Sequence, residues 1–288
     1  MNKSRNPNKS LLSIYGLKWN PFAPELPAEA LHTTPAIDQF CWRVEHHLVR
    51  EGGFALITGE PGCGKSVCLR LLAERLAHLP DVVVGALTRP QSSLADFYRE
   101  MGALFAVPLR PHNRWAGASA LRERWHAHID STLMRPVLLI DEAQEMAPAV
   151  LSELRLLAST RFDSRIILSV ILAGDGRLTD KLRRDDLLPL GSRIRYRLAL
   201  SHASNEELET CLLHLMKSAG NTSLMTKPLV DTLCEHALGN YRVLVTMAAE
   251  ILAAGAQREA PRLDEKLYFE VFRPQSAPRG KRAQRGAP

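Results

Sequence analysis

The sequence predicts an α/β domain whose parallel sheet is covered by helices on both faces, followed by a smaller domain made of helices alone. Three observations carry this expectation. Short, nearly continuous apolar runs alternate with longer helix-period segments up to about residue 200, the pattern of strands buried on both faces. Beyond His202 only helical periods remain. The first apolar run leads straight into a glycine-rich segment that opens a helix, as phosphate-binding α/β domains require.

Residues 1–35 read as an N-terminal arm, polar with one short apolar patch. The α/β domain, 36–200, starts its pattern with FALIT at 54–58, a helix from Lys65 to His78, and DVVVGAL at 81–87. Helices near 93–106 and 116–132 precede the strand PVLLID at 136–141. A helix near 149–160, one long strand RIILSVILA at 165–173, a short helix near 176–184 and the strand RYRLAL at 195–200 complete it. The helical domain, 201–272, carries helices near 204–218, 226–237, 240–256 and 262–271. Ser204 followed by Glu206 and Glu207 reads as an N-cap with acids in the first turn, while Gly220 and Gly239 fall where helix ends need positive φ. Residues 273–288 combine Pro, Gly, Ala and Arg without periodicity and read as a basic disordered tail.

The 288 residues carry 37 Lys+Arg against 31 Asp+Glu, a formal charge of +6. Four basic and no acidic side chains lie in residues 1–24, and five basic and no acidic ones in 273–288, which leaves 28 basic against 31 acidic groups between. The excess is a property of the ends, and the body is slightly acidic. No apolar run approaches the roughly 20 residues a bilayer requires, and the N-terminus lacks the apolar segment of a secretory signal, so a cytoplasmic protein without membrane contact is expected. Five cysteines without Cys-x-x-Cys spacing read as reduced structural thiols.

The chemistry begins with Gly59, Glu60, Pro61, Gly62, Cys63, Gly64, Lys65 and Ser66, which satisfy the phosphate-loop pattern G-x-x-x-x-G-K-[ST] with Val67 following in the helix. Backbone N–H groups of such a loop curl around a β-phosphate, Lys65 reaches the β/γ-phosphates, and Ser66 holds Mg²⁺. Seventy-six residues after Lys65, the apolar strand ends in Asp141 and Glu142. Asp141 is expected at Mg²⁺ and Glu142 at the attacking water. The acid pair, with no Asn-Lys-x-Asp guanine motif, favours ATP over GTP.

Through these two motifs, residues 36–272 resemble the AAA+ ATPases. The resemblance implies a polar γ-phosphate sensor after the next strand, where Asp175 stands, and an arginine before the last strand that reaches a neighbouring subunit's nucleotide. Arg193 sits there, with Arg184 and Arg195 as competitors. It also implies that the helical part is a lid whose Gly239-Asn240-Tyr241-Arg242 segment aims Arg242 at the γ-phosphate. Glu142, Lys65, Arg193 and Arg242 are thus the expected catalytic set, with ATP and Mg²⁺ as cofactors.

Tyr15 to Phe22, with Asn20-Pro21-Phe22, and Asp141-Glu142-Ala143-Gln144 resemble the ExeA-like group. That group includes secretion-associated ATPases and the TniB/TnsC-type helpers of DDE transposases. The secretion members, as the resemblance implies, continue into a transmembrane helix and a periplasmic domain; residues 1–288 read as neither, so a transposition helper is expected. It would assemble as a homo-oligomeric ring or helical filament on duplex DNA, recruit or stimulate a DDE transposase, with a target-selection protein as a further candidate partner, and be remodelled by hydrolysis. The alternative is a cytosolic secretion-assembly or protein-remodelling ATPase. Candidate DNA contacts are Arg89 and Ser92 in the loop after the second strand and Arg110 and Arg114 in the next. A stripe of Arg177, Lys181, Arg183 and Arg184 is either a DNA or an intersubunit surface.

Overall fold

The computed structural model describes residues 7–108 and 114–273. After helix α1 (Pro7–Tyr15), helix α2 (Pro35–Arg43) passes through a π-helical turn, Val44–Leu48, into α3 (Val49–Glu51). The sequence explains this start: the Thr34 hydroxyl accepts from the Ile37 amide and Pro35 occupies the first turn, where its missing N–H costs nothing. Strand β1 (Gly53–Gly59), helix α4 (Lys65–Ala77), strand β2 (Val84–Leu87), helices α5 (Leu94–Leu104) and α6 (Arg114–Thr132) and strand β3 (Val137–Ile140) follow. Then come helix α7 (Pro148–Leu157), strands β4 (Ser159–Thr160), β5 (Arg165–Ile166) and β6 (Ser169–Gly174), helices α8 (Gly176–Leu182) and α9 (Leu188–Gly191), and strand β7 (Ile194–Leu200).

Five strands form one parallel sheet in the order β2-β3-β6-β1-β7. Alternate residues feed two separate cores, which is why the runs are apolar throughout rather than alternating. Ala55, Ile57, Val137, Leu139, Ile171 and Ala173 face α4, the arm and the lid. Phe54, Leu56, Leu138, Ile140, Val170 and Leu172 face a second core that includes Phe97, Met101 and Trp125. The expected strand over 165–173 is two elements. Arg165–Ile166 pairs antiparallel with Ser159–Thr160 in a small hairpin, and only Ser169–Gly174 joins the sheet.

Four helices make the lid: α10 (Asn205–Ala219), α11 (Lys227–Ala237), α12 (Tyr241–Gln257) and α13 (Glu265–Val271). Ser204 and Glu207 form a reciprocal capping box at α10, whose C-cap Gly220 is left-handed, as is Gly239 before α12. The arm straps this lid to the sheet domain. Lys18 N donates to Ala219 O at 2.9 Å, Asn221 Nδ2 donates to Tyr15 O at 2.8 Å, and Arg70 of α4 donates to the Pro24 carbonyl at 3.3 Å. Phe22 is buried, and its amide donates to Asn20 Oδ1 at 3.0 Å. All five cysteines are buried and unpaired by disulfides. Among the described residues no helix is long and apolar enough to cross a membrane. The expected tail lies, from residue 274, outside the described residues.

Candidate nucleotide-binding and hydrolysis site

The parallel sheet places the ends of β1, β6 and β3 side by side, so the loops after them converge although they are far apart in sequence. The loop after β1 turns into α4, whose first residues are Lys65 and Ser66. Lys65 is 6% exposed and folds back, its Nζ donating to Gly59 O at 2.8 Å and to Glu60 O at 3.1 Å. Those neutral carbonyls leave its charge uncompensated by any acid in the loop, ready for an anion.

Ser66 Oγ donates to Asp141 Oδ2 at 2.7 Å, which joins the two motifs across 75 residues. The second oxygen of Asp141 accepts from the Glu142 amide at 2.9 Å. A hydroxyl and a carboxylate are hard oxygen donors that suit Mg²⁺. Two such oxygens on neighbouring octahedral positions at bonds of about 2.0–2.1 Å would stand about 2.9 Å apart, close to the distance seen. Among the described residues there is no group of three or more His, Cys, Asp or Glu that could hold a metal. Mg²⁺ needs none, because substrate phosphates and water supply the remaining ligands.

Glu142 is exposed and takes a left-handed backbone, φ 52° and ψ 38°, at the start of a 3₁₀ turn, Ala143–Glu145. Its carboxylate accepts from Gln144 Nε2, and the Oε1 of the same amide accepts from the Asp175 amide at 3.3 Å. Asp175 follows β6 and caps α8, accepting from the Arg177 amide at 2.9 Å and pairing with the Arg177 guanidinium at 2.8 Å. The hydrogen bond from Arg177 holds the Asp175 carboxyl below the usual carboxylate range. Arg177 also pairs with Glu145 at 2.9 Å. An acid at this strand end is therefore partnered by a cation, which removes the repulsion a phosphate would otherwise meet.

The lid reaches the phosphate loop through Asn240. Its Nδ2 donates to Pro61 O at 3.0 Å, while its Oδ1 caps α12 by accepting from the Arg242 and Val243 amides. Gly62, with φ +87°, fits under this side chain: a Cβ there would lie 2.1 Å from Asn240 Oδ1. Arg242 is exposed in the first turn of α12 and its guanidinium has no hydrogen bond or ion pair among the described residues. A cation at a helix N-terminus is disfavoured by the dipole, by about 0.3–1 kcal/mol, unless an anion joins it.

Between arm, loop and lid lies a cavity of about 230 Å³ whose walls include His32, Ile37, Cys63, Val67, Ala203 and Tyr241. It adjoins the phosphate loop and has the largely apolar lining that a nucleobase requires. Burial pushes the Cys63 thiol up, making it less reactive, and raises Tyr241 to about 12. The sequence reading names Cys63 and Val67 here but misses His32 and Tyr241 as walls. Tyr241 stands inside the Gly-Asn-Tyr-Arg segment, so the signal was present.

Arg193 lies elsewhere. It precedes β7, beside Phe54 and Ile194 at the edge of the sheet where β1 begins, and bonds Asp163 and the Pro189 carbonyl. The seven residues of β1 put its own phosphate loop ~20 Å away. Its competitors are also paired, Arg195 with Glu51 and Arg184 with Asp186.

Each cation of the expected basic stripe has a partner. Arg177 pairs with Asp175 and Glu145, Arg183 with Asp180 and Arg184 with Asp186, while Lys181 donates to the Gln144 and Met146 carbonyls. Arg89 is exposed, but it and Ser92 share an open cleft with Asp96, Glu142 and Glu145. Ser93 of the same loop caps α5. Arg110 and the side chain of Arg114 lie outside the described residues.

Residues 48–182 match the family model described as "AAA domain". The chain is 27% identical over 249 residues to General secretion pathway protein A of Aeromonas hydrophila, which covers 85% of this chain and 45% of that protein. It thus spans a little under half the length of this curated relative. Among solved structures it is similar to Cdc6p from Pyrobaculum aerophilum, with TM-score 0.66, 16% identity, and coverage of 84% of this chain and 67% of that one. It is also similar to the Aeropyrum pernix ORC2 protein in ADPNP–ADP complexes, with TM-score 0.65, 16% identity, and coverage of 88% and 72%. The fold is that of the AAA+ proteins.

Proposed function

We propose that this AAA+ fold belongs to a Mg²⁺-dependent ATPase of the secretion-assembly or protein-remodelling kind, whose hydrolysis is completed by a neighbouring copy of the chain. The observation that carries the hydrolytic part is the Ser66–Asp141 hydrogen bond of 2.7 Å, because it makes one metal-binding edge out of the phosphate loop and the Asp-Glu strand. Ser66 and Asp141 would hold Mg²⁺, which would supply positive charge to offset that of the phosphates. Lys65 exchanges its loop carbonyls for the β/γ-phosphates, and the loop's amide groups hold the β-phosphate. Glu142 orients and polarises the attacking water. Arg242 is drawn by the γ-phosphate as the lid settles on the loop through Asn240. Arg193, too far from its own loop, stabilises the transition state on the next subunit.

The protein-directed reading is supported by the likeness to a protein named for general secretion over 85% of this chain. No comparison favours the TniB/TnsC-type reading. Among the local candidates, the open cleft containing Arg89 also contains Asp96, Glu142 and Glu145, an unfavourable field for a phosphate backbone. What stimulates the enzyme separates the two. Hydrolysis and assembly with a non-hydrolysable ATP analogue are measured with and without duplex DNA at several salt concentrations. The secretion-type reading expects analogue-driven oligomers and a rate that DNA leaves unchanged. Assembly that requires DNA, with affinity falling steeply with salt, would restore the transposition helper. An assembled protein that turns over no ATP would remove the ATPase itself.

A further inference from the structure

We infer that Gln144 is the positioning residue for Glu142, and that it ties this carboxylate to the end of the central strand β6. The inference rests on the ATPase reading above for its catalytic consequence, while the physical link stands on geometry alone.

Gln144 is one of few buried polar side chains, 5% exposed, and both ends of its amide are used. The orientation of that amide follows from its partners. The Asp175 backbone N–H can only donate, so the oxygen Oε1 must face it, and the NH₂ is left to face the Glu142 carboxylate. The strand end is shaped around the amide: a Cβ on Gly174 would lie 2.6 Å from Gln144 Oε1. The 3₁₀ turn that carries Gln144 is itself pinned from α8. Lys181 Nζ donates to the Gln144 carbonyl and, at 2.9 Å, to that of Met146, and Arg177 pairs with Glu145 at 2.9 Å.

A buried glutamine that merely satisfied the Asp175 amide would need only its oxygen. Here the donor half reaches a carboxylate that is otherwise exposed, held on a left-handed residue. Hydrogen bonds to a charged group are the stronger kind, and this one favours a single Glu142 rotamer over the others. Asp175 stands between the ends of β1 and β3, because β6 pairs with both. A change at the γ-phosphate that shifts this strand end therefore passes directly to Glu142 through one side chain.

The test uses four full-length proteins: wild type, Gln144→Met, Glu142→Ala and the double variant. Nucleotide affinity is read with a fluorescent ATP analogue, and turnover at saturating Mg·ATP under assembling conditions. Gln144→Met is expected to lower kcat ~10- to 100-fold, the size of effect that misplacing a reacting group brings, with affinity changed less than about threefold. The double variant is expected to be no slower than Glu142→Ala, since Gln144 acts only through Glu142. Wild-type kcat in Gln144→Met, a parallel loss of affinity, or losses that add in the double variant would overturn the inference. Should the wild type itself not turn over, the ATPase reading fails separately. The link is then judged from denaturant unfolding of the same four proteins, with coupling of about threefold or more in the unfolding constant expected between positions 142 and 144 and no coupling overturning it.

Discussion

Asn240 donates from its side-chain amide to the carbonyl of Pro61 at 3.0 Å, so the residue that caps the first turn of α12 also touches the phosphate loop. Lid position and loop conformation are coupled through one short side chain. Asn240→Asp keeps an oxygen for the α12 cap but loses the donor to Pro61 and places a negative charge beside the phosphate site. Nucleotide affinity should fall at least about tenfold, roughly 1.4 kcal/mol, while thermal stability changes little. Asn240→Ala removes the cap as well and should cost about 1 kcal/mol of stability. Nucleotide titration and thermal melting of both variants separate the two roles, and equal affinities in Asn240→Asp and wild type would refute the coupling.

Lys65 and Glu142 should fail in opposite ways. Lys65→Ala removes the cation that the loop holds only through carbonyl oxygens, and loses the charge partner of a phosphate, an effect of about 2–5 kcal/mol or roughly 30-fold or more in affinity. Glu142→Gln keeps the hydrogen-bonding shape but not the base, so binding persists while turnover drops by about 10²–10⁴-fold. Equilibrium nucleotide binding alongside phosphate release distinguishes them.

Much of this site was legible because charge and glycine leave marks in sequence. The loop, Lys65, Ser66, Asp141 and Glu142 are recognisable from spacing and from the apolar strands before them. The β4–β5 hairpin was not. Its turn uses three consecutive left-handed residues, Arg161, Phe162 and Asp163, none of them Gly or Asn, so the usual turn chemistry is missing. Ile167 and Leu168, buried between β5 and β6, also make the run look unbroken. Helix α2 and its continuation are absent from the sequence-based expectation although a signal was there, the Thr34-Pro35 start with Ile37, Phe40, Cys41, Val44 and Leu48 on one face. Gln144 stands out in the sequence only through the Asp141-Glu142-Ala143-Gln144 resemblance, and its contact role appears only when β6 brings Asp175 to it.

Stability should decline below neutral pH partly through His32. Burial, with His214 opposing a second positive charge, holds the His32 pKa below its ordinary value of about 6.5, while Glu207 and Asp38 pull the other way. In the folded state the ring therefore binds fewer protons than in the unfolded chain. Linkage then makes stability rise with pH across this window and fall as pH drops below about 6.5. His32→Gln should flatten the slope of unfolding midpoint between about pH 7 and 5.5. Some slope remains, because burial lowers His126 and His128 in the same direction. An unchanged slope would show that His32 takes up its proton equally in the folded and unfolded chain, so that burial does not lower its pKa.

On the ATPase reading, Arg193 is the residue that would act on a neighbouring subunit. Its guanidinium pairs with Asp163 at the edge of the sheet where β1 begins, and the phosphate loop follows the other end of that strand. The Ser159 hydroxyl and Arg193 hold the Asp163 carboxyl below its usual range, and in the proposed assembly a neighbouring nucleotide would compete with Asp163 for the arginine. Arg193→Ala should leave nucleotide binding by isolated subunits intact and reduce turnover in the assembled protein by about 10³–10⁵-fold. A subunit lacking Arg193 still offers a complete nucleotide site, and a Lys65→Ala subunit still offers its arginine. Mixing the two under assembling conditions should recover part of the wild-type rate, at interfaces where an intact loop meets an intact Arg193. If the mixture stays as inactive as either variant alone while still co-assembling, the arginine does not act across the interface, and Arg195 or Arg184 becomes the residue to exchange next.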